Sequence, residues 1–177
     1  MSNWRVISKT ALALFVSCLM IQSAYTQAKR AKYPLGEFDN GCMAKGRVQD
    51  CSGKVMQQIL ADGKDGIPIL ISQLTETTIA KNQIADYWSG TRSGDVAFVV
   101  LNDLFTDANP HSFGMPGVTN WSTVQKGCNR AAQACWAEYL HKHGRMSVKQ
   151  AWQRGWNLHK DQIYWDAKAQ CFRVSKD

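Results

Sequence analysis

The sequence predicts a mainly α-helical domain that ends in a short β-hairpin and is supported by disulfides. Three observations predict it. Apolar residues recur at three- and four-residue spacing in several segments, and Ser, Pro and Gly stand where those segments would start and stop. Five cysteines follow an apolar N-terminal leader.

The leader alters every later count. Arg5 and Lys9 form a basic start, and "ALALFVSCLMI" (11–21) is an apolar run too short to cross a bilayer. Thr26 and Ala28 then occupy the −3 and −1 positions of a small-residue cleavage site. This is the pattern of a secretory signal peptide over residues 1–28. The expected localisation is therefore exported, periplasmic or secreted, with no membrane span after cleavage. "FVSC" offers a lipoprotein alternative through Cys18, with Phe15 where a Leu is usual. The rest divides into an irregular lead-in, 29–51, and a single helical domain, 52–177, a size that suits one core.

The elements follow in order. From Ser52, a candidate N-cap, Val55, Met56, Ile59 and Leu60 share one helical face, and Gly63 supplies a stop. Pro68 fits the first position of a second helix, with Ile67, Leu70, Ile71 and Leu74 as its buried stripe. Residues 77–92 are mixed. Ser93 is a candidate cap for "SGDVAFVVLNDLF", a third helix apolar nearly all round and so expected at the centre of the molecule. The fourth helix is expected over Ala131 to His143, ending at Gly144. The fifth carries an S-x-x-Q capping box, Ser147 with Gln150, and places Trp152 and Trp156 on one face. "IYWDAKAQCFRV" alternates around a turn and reads as a hairpin, Ile163 to Val174.

Between the third and fourth helices, "TDANPHSFGMPGVTNW" (106–121) is the longest loop, rich in Pro and Gly. It presents Asn109 with the candidate binding residues His111, Phe113, Met115 and Trp121, because aromatic and Met side chains on a pre-bent loop suit recognition. The competing expectation is that Phe113, Met115 and Trp121 fold back to cap the core.

The net charge of +7 falls to +5 without Arg5 and Lys9, and it is uneven: −4 over residues 36–125 and +6 over 126–177. A basic C-terminal third suits an acidic partner, such as an acidic envelope polymer, or is simply a solvated face. Nucleic acid does not suit an exported chain, and no motif implies a cofactor.

Of Cys42, Cys51, Cys128, Cys135 and Cys171, one is left over if the others pair. Cys42 and Cys51 close a short loop and are read as one disulfide. On one continuous helix Cys128 and Cys135 would stand about 10 Å apart, too far for a bond. They pair only if the chain loops between them, which Gly127 and Asn129 permit; otherwise they are buried thiols. The run Cys128 to His143 contains soft ligands, but its spacing matches no zinc pattern, so no metal site is assigned.

Two stretches resemble known families. "GKDGIPILISQL" followed by "GDVAFVVLNDLF" resembles HEAT-like helical repeats over residues 52–107. That resemblance implies stacked helix pairs and a scaffold or protein-binding surface. "DCSGKV" (50–55) resembles the nucleophile motif of NlpC-type cell-wall cysteine peptidases, and "SGDVAFV" (93–99) is similar to the start of a central strand in that family. This second resemblance implies Cys51 as nucleophile and His111 as its base. A Cys51 bonded to Cys42 could not attack, and the bonded reading is preferred. The expected function is thus a non-enzymatic, envelope-associated protein-binding or scaffold module. The alternatives are the cysteine peptidase or amidase, and a periplasmic inhibitor or immunity-type protein.

Overall fold

The computed structural model describes residues 32–38, 52–81, 90–106, 114–119, 121–129 and 132–175. The expected leader, the Cys42–Cys51 pair and the lead-in apart from its 32–38 stretch lie outside these residues. So do Asn109, His111 and Phe113.

The described residues are mainly helical, with one antiparallel hairpin at the C-terminal end. A 3-10 turn, Leu35–Glu37, precedes helix α1 (Lys54–Asp62). A second 3-10 turn, Gly63–Asp65, joins α1 to α2 (Gly66–Gln73). The chain then passes through α3 (Ser93–Leu104), α4 (Trp121–Lys126), α5 (Ala132–His143) and α6 (Arg145–His159) to strands β1 (Ile163–Asp166) and β2 (Cys171–Val174). Residues from Tyr33 onward form one compact unit.

Helix α3 is the axis of that unit. Every residue from Ser93 to Asn102 is buried, as a helix without a polar face requires. The stripe Ile67, Leu70, Ile71 and Leu74 is buried against it. The close approach depends on Gly94, where an added Cβ would lie 2.6 Å from the Leu74 carbonyl oxygen and 2.8 Å from that of Glu76. On the other side Phe98 stacks face to face on Trp136 of α5. Phe105 meets Trp152 of α6 and Phe172 of β2, each at 5.8 Å between ring centres. The core therefore runs from α1 through α3 to the hairpin.

Three expected caps differ. Gly53, not Ser52, takes the cap position of α1, and a glycine has no side chain to cap with. Ser93 is the first residue of α3; Arg92 takes the cap position, and Asp95 reaches back to accept its backbone N–H at 2.7 Å. Ser93 is instead held by its own N–H, which donates to the Thr78 carbonyl at 2.9 Å beside the Ile79–Arg92 bridge. Helix α6 begins at Arg145 directly after Gly144 (φ +75°), so Ser147 lies inside its first turn and forms no capping box. Pro68 sits third in α2, where a missing N–H still costs no intrahelical bond.

Cys128 and Cys135 are disulfide-bonded, with 5.7 Å between their Cα atoms. The chain leaves the helix between α4 and α5, which removes the separation that a continuous helix would impose. Cys171 keeps its thiol, fully buried. The strand that the peptidase resemblance implies at residues 93–99 is absent, because that segment is the buried helix α3.

Candidate hairpin recognition site

The hairpin is built by a register of four pairs, Ile163↔Val174, Tyr164↔Arg173, Trp165↔Phe172 and Asp166↔Cys171. Asp166 closes its turn: one carboxylate oxygen accepts the backbone N–H of Lys168 and of Ala169, both at 3.0 Å. Its other oxygen pairs with Arg173 Nε at 2.8 Å across the strands. The Ala169 hydrogen bond foremost, with Lys168 and Arg173 adding to it, holds this carboxyl below the usual carboxylate range.

Ile163 and Phe172 point into the core, but Trp165, which shares their face, reaches past its edge. It packs edge-on against Phe172 at 5.0 Å between ring centres and stays 40% exposed. Tyr164, on the opposite face, is 49% exposed. Strand β1 packs on the Gly63–Asp65 turn, and the space between them is a pocket of about 540 Å³. Leu60, Ile163, Trp165 and Phe172 make its apolar and aromatic lining, Gly63 and Lys64 its other lip, and Tyr164 borders it from the opposite face of the hairpin.

Lys64 is the charged side chain of this pocket. Asp62 and Asp65, both exposed, flank it in sequence. The Tyr33 hydroxyl donates to Asp62 Oδ2 at 2.8 Å. Burial first, then that bond and the fields of Asp62 and Asp65, pushes the Tyr33 phenol well above its usual pKa. The lip thus carries Lys64 with a carboxylate on either side of it in sequence, beside an apolar, aromatic recess.

Neither a protein family, a curated protein nor a solved structure matches this chain. The pocket must therefore be read from its own chemistry.

The expected site residues are placed as follows. Met115 is 1% exposed, so it belongs to the core and not to an accessible loop surface. It lies on Gly155 of α6, where an added Cβ would come within 2.6 Å of its sulfur. The physical reason is a thioether long enough to fill the gap that a glycine leaves between helices. Trp121 opens α4. His111 and Phe113 lie outside the described residues, as does Cys51, so no geometry joins Cys51 to His111. The end of the loop borders a second pocket, of about 510 Å³, where Gly114 and Pro116 face Tyr164 and Arg173 of the hairpin. Among the described residues no group of three His, Cys, Asp or Glu side chains could hold a metal ion. No described helix is long and apolar enough to cross a membrane.

Sequence reasoning recognised the hairpin but not the pocket beside it. Lys64 and Trp165 are a hundred residues apart, and no local pattern links them. The available signal was "YW" in a strand that alternates only imperfectly, which leaves two aromatic rings on opposite faces of a two-stranded sheet.

Proposed function

We propose that this chain is an exported, non-enzymatic, envelope-associated module that binds a partner protein through its C-terminal hairpin. The observation that carries the reading is Trp165, 40% exposed beside an apolar pocket, with Tyr164 half exposed on the other face of the same strand. Large aromatic side chains left partly in water beside a recess are the groups that dominate interface energetics once covered. Export rests on the leader pattern of residues 1–28. The packing of α2 on α3 through the Ile67, Leu70, Ile71 and Leu74 stripe, with α1 against α2, supports the HEAT-like description, in which a helical scaffold presents a binding element.

A photo-crosslinking amino acid in place of Tyr164, in cells expressing the full chain, tests the reading. The expected result is a discrete adduct in the envelope fraction that disappears when Trp165→Ala is added. The same amino acid in place of Leu158, which is exposed on α6, should give none. Equal labelling from both positions, or a chain that stays in the cytoplasm with its leader uncleaved, would overturn it.

A further inference from the structure

The two ends of the Cys128–Cys135 disulfide sit in different surroundings. Cys128, in the bend between α4 and α5, is half-buried, whereas Cys135, in the first turn of α5, is 2% exposed. Both line an open pocket of about 470 Å³, which Tyr139, Lys142 and His143 border from α5. A thiol can therefore approach Cys128 with every helix in place, while Cys135 is shielded. The bond also does little to join distant parts of the chain. Its cysteines are seven residues apart in sequence, so opening it releases only a short ring. Cys135 stays anchored through its neighbour Trp136, which is fully buried and stacked on Phe98 of α3. What opening frees is α4, which among the described helices packs chiefly on α5.

Exchange needs a reachable sulfur and a fold that outlasts the broken bond, and exposed disulfides are the ones that exchange. We propose that Cys128–Cys135 is a thiol-exchange site, attacked at Cys128 by the thiolate of a thiol or dithiol partner. The incoming sulfur bonds to Cys128 Sγ, the Cys128–Cys135 bond breaks, and Cys135 Sγ leaves with the electron pair and takes a proton from water. The product is a mixed disulfide on Cys128. A second thiol, from the same dithiol or from a second molecule, then displaces Cys128 and closes a disulfide with the first. Two thiols of the partner are thereby oxidised, and this chain is reduced to the two thiols Cys128 and Cys135. Charge does not choose between the two sulfurs, since Lys142 and Glu138, both exposed, bring one charge of each sign to the pocket. Access selects Cys128. The site is built by α4 and α5 and does not depend on the hairpin.

Reduction of the oxidised full chain by dithiothreitol without denaturant, followed by pulses of alkylating reagent and peptide mass spectrometry, tests the proposal. Cys128 should become labelled at a rate proportional to dithiothreitol, with no ceiling, while the buried Cys171 stays unlabelled. A rate that levels off, with Cys171 labelled in step, would mean that the bond opens only by unfolding and would overturn the proposal. Cys135→Ser and Cys128→Ser separate the two sulfurs. Glutathione disulfide should load Cys128 of the first variant roughly ten-fold faster than Cys135 of the second, because a buried thiol is inert. Equal loading, or faster loading of Cys135, would overturn attack at Cys128. Should either variant fail to fold, the kinetics of the wild type decide the matter alone. Glutathione and a reduced Cys-x-x-Cys protein, each in place of dithiothreitol, distinguish the sources: opening by the protein makes the partner a protein dithiol, and opening by glutathione alone makes it a small thiol.

Discussion

The side-chain amide of Gln73 pairs with both backbone polar atoms of Tyr33. Gln73 Oε1 accepts the Tyr33 N–H and Gln73 Nε2 donates to the Tyr33 carbonyl, each at 2.9 Å and away from water. A glutamine at the end of α2 thereby does for one residue what a neighbouring strand would do, and it ties residues 32–38 to the helical core. The Tyr33 ring then reaches Asp62 at the end of α1, so the same residue links α1 and α2 near the turn that carries Lys64.

Gln73→Leu keeps the shape of the side chain roughly constant but takes the acceptor from the buried Tyr33 N–H, while the Tyr33 carbonyl keeps the Leu35 N–H at 2.8 Å. One orphaned buried group costs about 1–3 kcal/mol, so urea unfolding should show a loss of that size. Limited proteolysis should then cut near residues 32–38 before the helices are attacked. An unchanged midpoint would mean that water reaches Tyr33.

Asp95 and Arg145 form the ion pair that joins α3 to the start of α6, at 2.5 Å with Asp95 side chain 3% exposed. Removing the carboxylate leaves a guanidinium that is three-quarters buried and whose Nη1 has no hydrogen-bond partner among the described residues. Asp95→Ala is expected to lower stability by about 3–5 kcal/mol, since an uncompensated buried charge is the main penalty. Arg145→Met leaves the more deeply buried Asp95 carboxylate with the Arg92 N–H, so its loss should be of the same order. A negligible loss from Arg145→Met would show that the Arg92 N–H alone stabilises the charge of Asp95.

The periodic parts of this fold were legible in sequence, and the reasons are local. Ile67, Leu70, Ile71 and Leu74 announce a buried face by spacing alone, and "SGDVAFVVLNDLF" announces a central helix by lacking a polar one. Caps were less legible because Ser93 and Ser147 are ordinary capping residues whose positions are fixed by tertiary bonds: Ser93 by Thr78, and the start of α6 by Gly144 and the Asp95–Arg145 pair. Met115 looked like loop chemistry because its partner is Gly155, forty residues away, whose missing side chain is the space it fills. The pocket was illegible for the same reason, as it joins residues near 63 to residues near 165.

Met115 and Gly155 should be energetically coupled. Met115→Ala empties a buried site and is expected to cost about 2–5 kcal/mol. Gly155→Ala forces a methyl against the Met115 sulfur and Val118, and overpacking of this kind costs about 1–3 kcal/mol. In the double variant the new methyl occupies part of the space that Met115 vacates, so the loss should be smaller than the sum. A double-mutant cycle by chemical denaturation measures this, and strict additivity would mean that the two do not share one packing site.

Reduction of the Cys128–Cys135 disulfide should destabilise the protein by about 2.5 kcal/mol, the loop-closure value for a ring of this size. Peptide mapping without reductant should recover the Cys128–Cys135 cross-link, and Cys171 should alkylate only after unfolding, because its thiol is fully buried. Rapid labelling of Cys171 in the native protein would show that the hairpin opens away from α3.

The hairpin should also respond to acid, through Asp166. Its ionised carboxylate accepts the Lys168 and Ala169 N–H groups that close the turn and faces Arg173 across the strands. These contacts favour the charged form, so the folded-state pKa is depressed relative to the unfolded chain. The sign follows from that direction. Stability from Asp166 is fully present above the unfolded carboxylate pKa and is lost as pH falls through the lower folded value. Neutral pH therefore leaves the hairpin intact, and loosening begins only below the ordinary carboxylate range. Trp165 is next to Asp166 in β1 and packs on Phe172, so its fluorescence reports the change directly. Asp166→Asn cannot titrate, and it should show the loosened hairpin signal at neutral pH with little further response to acid. If Asp166→Asn keeps the wild-type acid transition, another carboxylate governs it, and the turn bonds of Asp166 are not what holds Trp165 over the pocket.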